Sequence, residues 1–340
     1  MITKRLAAFA ATAAIAFAAC STGAPASSAP AASSAAPASE SAPAASASGS
    51  AAAAGVKAAA LFPGLVDDGS WNQAGFEGLK KAESEAGATI AYTEKVTQDQ
   101  QIEVFRNYAQ QGNQVIIGHG GEYMDSAIQV GGEFPDIQFV VTNGDKSAAN
   151  VTSLALSYGD MGYLSGVLAC SVTKSNKIGV VAGETIPIVN DAIKGWKDGC
   201  ARVNPSAEVK TTATGDWADV DKAREAALAL ISDGADVLGH VLDAADAGVF
   251  AAADDKGASA IGLYADESKL GPKSHIGAAL ADASAVVFFA VTKPLDGQVH
   301  QEGVKEGVVS FGAYAPSVPQ AAQDAVKAAE DDLKSGAATF

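Results

Sequence analysis

Short runs rich in valine, isoleucine and alanine alternate along this chain with longer stretches in which apolar residues recur every three or four positions. The runs at 57–62, 89–93, 114–118, 137–142, 177–182, 209–213, 236–240, 259–263 and 275–280 predict strands. The stretch 99–111 predicts a helix with Ile102, Phe105, Tyr108 and Ala109 on one face. A second, 220–232, places Val220, Ala223, Ala227, Leu230 and Ile231 at the same spacing. Strands that alternate with helices in this way build βαβ units and parallel sheets. Several of the strands are apolar on both faces, as a sheet covered by helices on each side requires.

The rhythm breaks twice, at 150–160 and near 269–273, where Gly271 and Pro272 stand. Each break reads as a passage between lobes. The 285 residues from Val56 onward suit two lobes better than one compact core. The expectation is an α/β protein of two doubly wound parallel sheets with a hinge and an interlobe cleft. Lobe 1 would be 56–155 plus 275–305, and lobe 2 would be 156–274 plus 306–340. Ligands of open α/β sheets bind outside the carboxyl ends of the strands.

The first residues read differently. Lys4 and Arg5 precede a small apolar run ending at Cys20, the pattern of a secretory signal over 1–19. The sequence Phe17-Ala18-Ala19-Cys20 resembles a bacterial lipobox, with Phe17 where leucine is usual, and marks Cys20 for lipidation. Residues 20–55 are almost all alanine, serine, proline and glycine and have too little apolar surface to fold. They form a tether reaching roughly 30 Å. No other stretch is long and apolar enough to span a bilayer.

Net charge is −16, which argues against nucleic acid and anionic lipid as partners. Beyond Cys20 only Cys170 and Cys200 remain. In an oxidising compartment they form either a disulfide or two buried thiols.

Enzyme signatures are missing: no phosphate loop, no dinucleotide glycine fingerprint, no Gly-x-Ser-x-Gly turn and no His-Glu-x-x-His. The four histidines, His119, His240, His275 and His300, show no metal-ligand spacing, so no metal or cofactor is expected. His119 follows a strand and either lines the cleft or serves the structure. The arginines after the signal, Arg106, Arg202 and Arg224, all fall on predicted amphipathic helices. None sits at a strand end to fork a phosphate or carboxylate, which favours a neutral ligand.

The first strand runs into a loop with Asp67, Asp68, Ser70, Trp71 and Asn72, a place to hold a polar ring. The segment Asp68-Gly-Ser-Trp-Asn-Gln-Ala-Gly-Phe-Glu-Gly-Leu79 resembles the opening motif of the basic membrane protein family of ABC-transporter substrate-binding lipoproteins. Further agreement comes, in order, from Gly162-Tyr-Leu-Ser-Gly166, Lys177-Ile-Gly-Val-Val-Ala-Gly183, Thr214-Gly-Asp-Trp-Ala-Asp219, Gly234-Ala-Asp236 and Ile261-Gly-Leu-Tyr-Ala-Asp266.

The resemblance implies a type I periplasmic-binding fold with three crossings, and a purine nucleoside sandwiched between one aromatic from each lobe. Trp71 matches the first aromatic and Trp217 resembles the second. Asn72 matches the amide at the base edge, Asp68 the acid near it, and Asp145 the acid after the fourth strand. Gly248 falls at the family's glycine-containing helix start, and Asp266 matches an acid suited to ribose hydroxyls. Asp68 and Asn72 are equally suited to capping the helix that follows. Ala281, the Asp243–Ala247 turn and Tyr264 depart from the family on the sugar side. A neutral heteroaromatic solute, a purine nucleoside first, is therefore the expected ligand, with a free base, a flavin or a sugar as the alternatives. The implied protein is a monomeric, lipid-anchored, extracytoplasmic receptor that delivers its ligand to an ABC permease. A sensory receptor is the second reading, and an enzyme is not expected.

Overall fold

Among the described residues, hydrogen bonding sorts the strands into two six-stranded sheets. The computed structural model describes residues 55–68 and 71–340, all within one compact unit. The expected signal, Cys20 and the tether up to residue 54 lie outside the described residues.

The first sheet is built from β1 (Lys57–Leu61), β2 (Thr89–Thr93), β3 (Val115–His119), β4 (Gln138–Thr142) and β5 (Val151–Leu156). Between them run α1 (Trp71–Ala86), α2 (Gln101–Gln110) and α3 (Met124–Glu133). The chain then enters α4 (Tyr158–Val172) and lays down β6 (Lys177–Ala182), α5 (Pro187–Val203), β7 (Glu208–Ala213), α6 (Val220–Ser232), β8 (Val237–Val241), α7 (Asp246–Lys256), β9 (Ser259–Tyr264) and β10 (His275–Ala281). It returns through α8 (Ala283–Thr292) to β11 (Val299–Glu302), and crosses once more to β12 (Val309–Gly312) and α9 (Gln320–Ser335). The strand orders are β11-β5-β4-β3-β1-β2 and β12-β10-β9-β8-β6-β7. Every pair is parallel except β10–β12.

Successive residues of β1 feed two cores. Ala58, Ala60 and Phe62 pack with Leu79 and Ala82 of α1, whereas Ala59 and Leu61 pack with Phe105 and Tyr123 on the opposite side. This is why the strand has no polar alternation. In the second lobe α4 and α5 approach until their backbones touch. A Cβ on Gly162 would lie 2.1 Å from the Ala192 carbonyl oxygen, and one on Gly199 would lie 2.0 Å from that of Tyr163. Cys170 on α4 and Cys200 on α5 join this seam as a disulfide, with Cα atoms 5.1 Å apart.

The three crossings bond to one another. Ser157 caps α4 by accepting from Asp160 N–H at 3.2 Å, and its own N–H donates to the Glu302 carbonyl at 3.1 Å. The Asp160 carboxylate accepts from Val304 N–H at 2.8 Å, while Asp282 N–H donates to the Val308 carbonyl at 2.8 Å. β5 enters a crossing at its carboxyl end, and so does β10. The carboxyl ends of both sheets therefore face the crossings.

Three sequence expectations need correction. The strand at 275–281 pairs with β9 and β12, so it belongs to the second lobe and not the first. The break near 269–273 is consequently a loop inside that lobe, and the return crossing lies at Asp282. The segment 150–160 is mostly β5, a wholly buried strand, with the crossing confined to its end.

Candidate functional site

α1 begins at Trp71, ten positions after the last residue of β1, and its first residue stands beside His119 at the end of β3. The Asp68 carboxylate accepts from the N–H groups of Asn72 at 3.3 Å and Gln73 at 3.0 Å, capping the helix. The Asn72 amide is turned the same way, donating to Asp68 at 2.7 Å while its oxygen accepts from Gly64 N–H at 3.3 Å. Both side chains thus fix the start of the helix that carries Trp71.

His119, the last residue of β3, is fully buried and lies parallel to the Trp71 indole, with ring centroids 4.2 Å apart and planes at 15°. Its Nε2 donates to the Trp71 carbonyl at 2.9 Å. A carbonyl can only accept, so the hydrogen is on Nε2, and Nδ1 accepts from Thr142 Oγ1 at 3.1 Å. Burial lowers this imidazole to about 4. His119 is a neutral platform for one face of Trp71, and both its nitrogens are occupied. Asp145, beyond β4, is exposed.

The second lobe offers a hollow of about 200 Å³ lined by Tyr158, Ile188, Trp217, Leu242, Asp243 and Tyr264. Trp217 follows β7 in a tight turn, where the Asp216 carboxylate accepts from Ala218 and Asp219 N–H. The indole lies over the end of β6, so close that a Cβ on Gly183 would sit 2.5 Å from Cε3. Tyr264 ends β9 at φ +71°, a strained conformation for a residue of its size. Its hydroxyl donates to that of Tyr158. Burial raises both phenols and also the Asp243 carboxyl.

Two expected contacts sit elsewhere. Gly248 is pressed against α6, where a Cβ would lie 2.1 Å from the Val220 carbonyl oxygen, and its N–H donates to Ala245. It serves helix packing and has no N–H to offer a ligand. Asp266 lines a different hollow, of about 310 Å³, with His275 and Tyr314. Its carboxylate accepts from Ser268 N–H at 3.0 Å.

A cluster that sequence spacing did not reveal lies beside the Trp217 hollow. His240 of β8, Asp246 of α7 and Glu267 after β9 bring one ligand atom each within 4.8 Å of the others. His240 Nε2 lies 2.9 Å from Glu267 Oε2, which also accepts from Leu263 N–H at 3.0 Å. Burial works against charge on both, yet their contact outweighs it, raising the imidazole and lowering the carboxyl. Burial, and then contact with Glu267, push Asp246 up to about 7. The signal in the sequence was chemistry at the ends of two neighbouring strands, β8 and β9, with no motif linking them.

Two doubly wound lobes, a tryptophan at a strand end of each, and hollows lined by aromatic and acidic side chains define a two-lobed solute-binding protein of the type I periplasmic fold. The chain belongs to the Bmp family, ABC transporter substrate-binding proteins that are PnrA-like, which it matches over residues 55–335. It is accordingly a substrate-binding protein of an ABC transporter family and not an enzyme. It is 32% identical over 266 residues to the transcriptional activator protein Med of Bacillus subtilis, covering 76% of this chain and 83% of that one. A purine-binding protein of Brucella abortus is 28% identical over 235 residues, covering 68% and 66%. Among solved structures, an ABC transporter solute-binding protein from Conexibacter woesei superimposes with a TM-score of 0.65 at 26% identity, covering 84% of this chain and 98% of that one. No helix among the described residues is long and apolar enough to cross a membrane.

Proposed function

We propose that this protein captures a purine, as nucleoside or free base, by sandwiching the ring between Trp71 and Trp217. The carrying observation is that each indole has one face backed by its own lobe. Trp71 rests on His119 and Trp217 on the end of β6. A flat solute stacked on both opposite faces draws the lobes together about the crossings, and the permease distinguishes the closed form. The purine-binding relative supports this ligand class. The lipobox at Cys20 and the tether 20–55 would hold a monomeric receptor at the extracytoplasmic face of the membrane, within reach of the permease.

The sugar side is distinctive. Around Trp217 the hollow has one carboxylate, Asp243, and two tyrosine hydroxyls bonded to each other. Ribose brings several hydroxyl donors that need acceptors, so this lobe favours a base over a nucleoside.

A thermal-shift screen with purine bases, nucleosides, riboflavin and sugars tests the reading, because a ligand of the folded state raises the melting temperature. Stabilisation by sugars alone would overturn it. A second reading, a receptor that signals, is favoured by the name of the B. subtilis relative. Loss of labelled purine uptake on deletion of the gene supports transport, and unchanged uptake supports signalling.

A further inference from the structure

We propose that His240, Asp246 and Glu267 form a binding site for a divalent first-row transition-metal ion of the zinc type, which braces the second lobe's half of the cleft. The geometry carries this inference. The three ligand atoms lie within 4.8 Å of one another, with His240 Nε2 and Glu267 Oε2 only 2.9 Å apart. Adjacent ligands of an ion bound at about 2.1 Å stand roughly 3–3.4 Å apart, so small side-chain rotations complete the set. One nitrogen and two carboxylate oxygens suit zinc, manganese or cobalt better than the all-oxygen shells that calcium and magnesium prefer.

A bound ion would replace the protons that otherwise offset charge in this cluster. Two carboxylates meet at a partly buried position, and among the described residues no lysine or arginine pairs with either. His240 itself is buried to 1% exposure. A bound dication neutralises both acids. It takes the place of the hydrogen on Nε2, leaving the neutral imidazole with its hydrogen on Nδ1 and releasing any surplus proton to solvent. The partial exposure of Asp246 and Glu267 supplies the route in.

Position gives the ion a consequence. Asp246 follows Asp243 by three residues, and Glu267 follows Tyr264 by three. Asp243 and Tyr264 line the hollow beside Trp217. An ion joining Asp246 to Glu267 therefore ties together the two loops that frame that hollow. This inference does not depend on the identity of the organic solute.

The test is titration of the EDTA-stripped, dialysed protein with zinc chloride, followed by calorimetry and thermal melting, with magnesium and calcium chloride as controls. We expect one zinc ion per chain, a rise in melting temperature with zinc alone, and affinity weakened at least about tenfold in Asp246→Asn and Glu267→Gln. Crystals soaked in zinc give a readout independent of variant folding, an anomalous peak between the three side chains. Zinc peaks only elsewhere, no saturable binding, or unchanged affinity in both variants would overturn the proposal.

Discussion

His119 lies flat against Trp71 at 4.2 Å between ring centroids and donates its Nε2 hydrogen to the Trp71 carbonyl. One imidazole therefore holds both the ring face and the backbone of the residue that offers its indole to the cleft. Protonation would place a charge in a fully buried position, which the Trp71 carbonyl and the Asp68 carboxylate offset only in part, and this accounts for a value near 4.

The pH dependence follows from that depression. Between the unfolded value of about 6.5 and the folded value of about 4, the unfolded chain binds more protons. The His119 contribution is thus complete above pH 6.5 and is lost as pH falls through 4. It amounts to about 3 kcal/mol. Histidine NMR titration should show one imidazole neutral to pH 5, and His119→Gln should remove this part of the acid destabilisation.

Gly183 allows Trp217 to lie on the end of β6. Gly183→Ala places a methyl group 2.5 Å from the indole and costs about 1–3 kcal/mol of strain if the ring cannot move. We expect the ring to tilt, so ligand affinity falls more than melting temperature does. Paired calorimetry and thermal melts check this.

The disulfide closes a loop between residues 30 apart in sequence and should contribute about 3–4 kcal/mol. Cys170→Ser with Cys200→Ser should lower the melting temperature by several degrees and leave ligand affinity unchanged, since the seam lies away from the strand ends. Both cysteines are buried, so reductant should act slowly on the native protein.

Asp160 ties α4 to the last crossing through Val304 N–H, and burial raises its carboxyl. Asp160→Ala leaves that N–H unpaired and should cost about 1–3 kcal/mol. Because the bond spans two crossings, the variant should also show altered opening, visible as faster amide exchange at 303–308.

All nine strands read from the apolar pattern are present, and 89–93 and 177–182 coincide with β2 and β6 residue for residue. β5 was not legible because Thr152 and Ser153 sit buried within it. The Asn150 amide beside it bonds three carbonyls that a strand pattern does not reveal. β11 and β12 are four residues each and half exposed, too short for periodicity. The lobe of 275–281 was misread because a strand's composition does not say which sheet it will join. The aromatics Trp71 and Trp217 stood out as large rings among polar loop residues. The roles of His119 as platform and Gly248 as a packing contact depend on neighbours distant in sequence, as does the His240–Asp246–Glu267 cluster.

The central claim is the sandwich, and calorimetric titration of adenine and adenosine into the wild type, Trp71→Ala and Trp217→Ala tests it most directly. Loss of one stacked face should cost about 2–3 kcal/mol, weakening affinity by tens- to a hundredfold in each variant, with the base bound at least as tightly as the nucleoside. Unchanged affinity in both variants would contradict it.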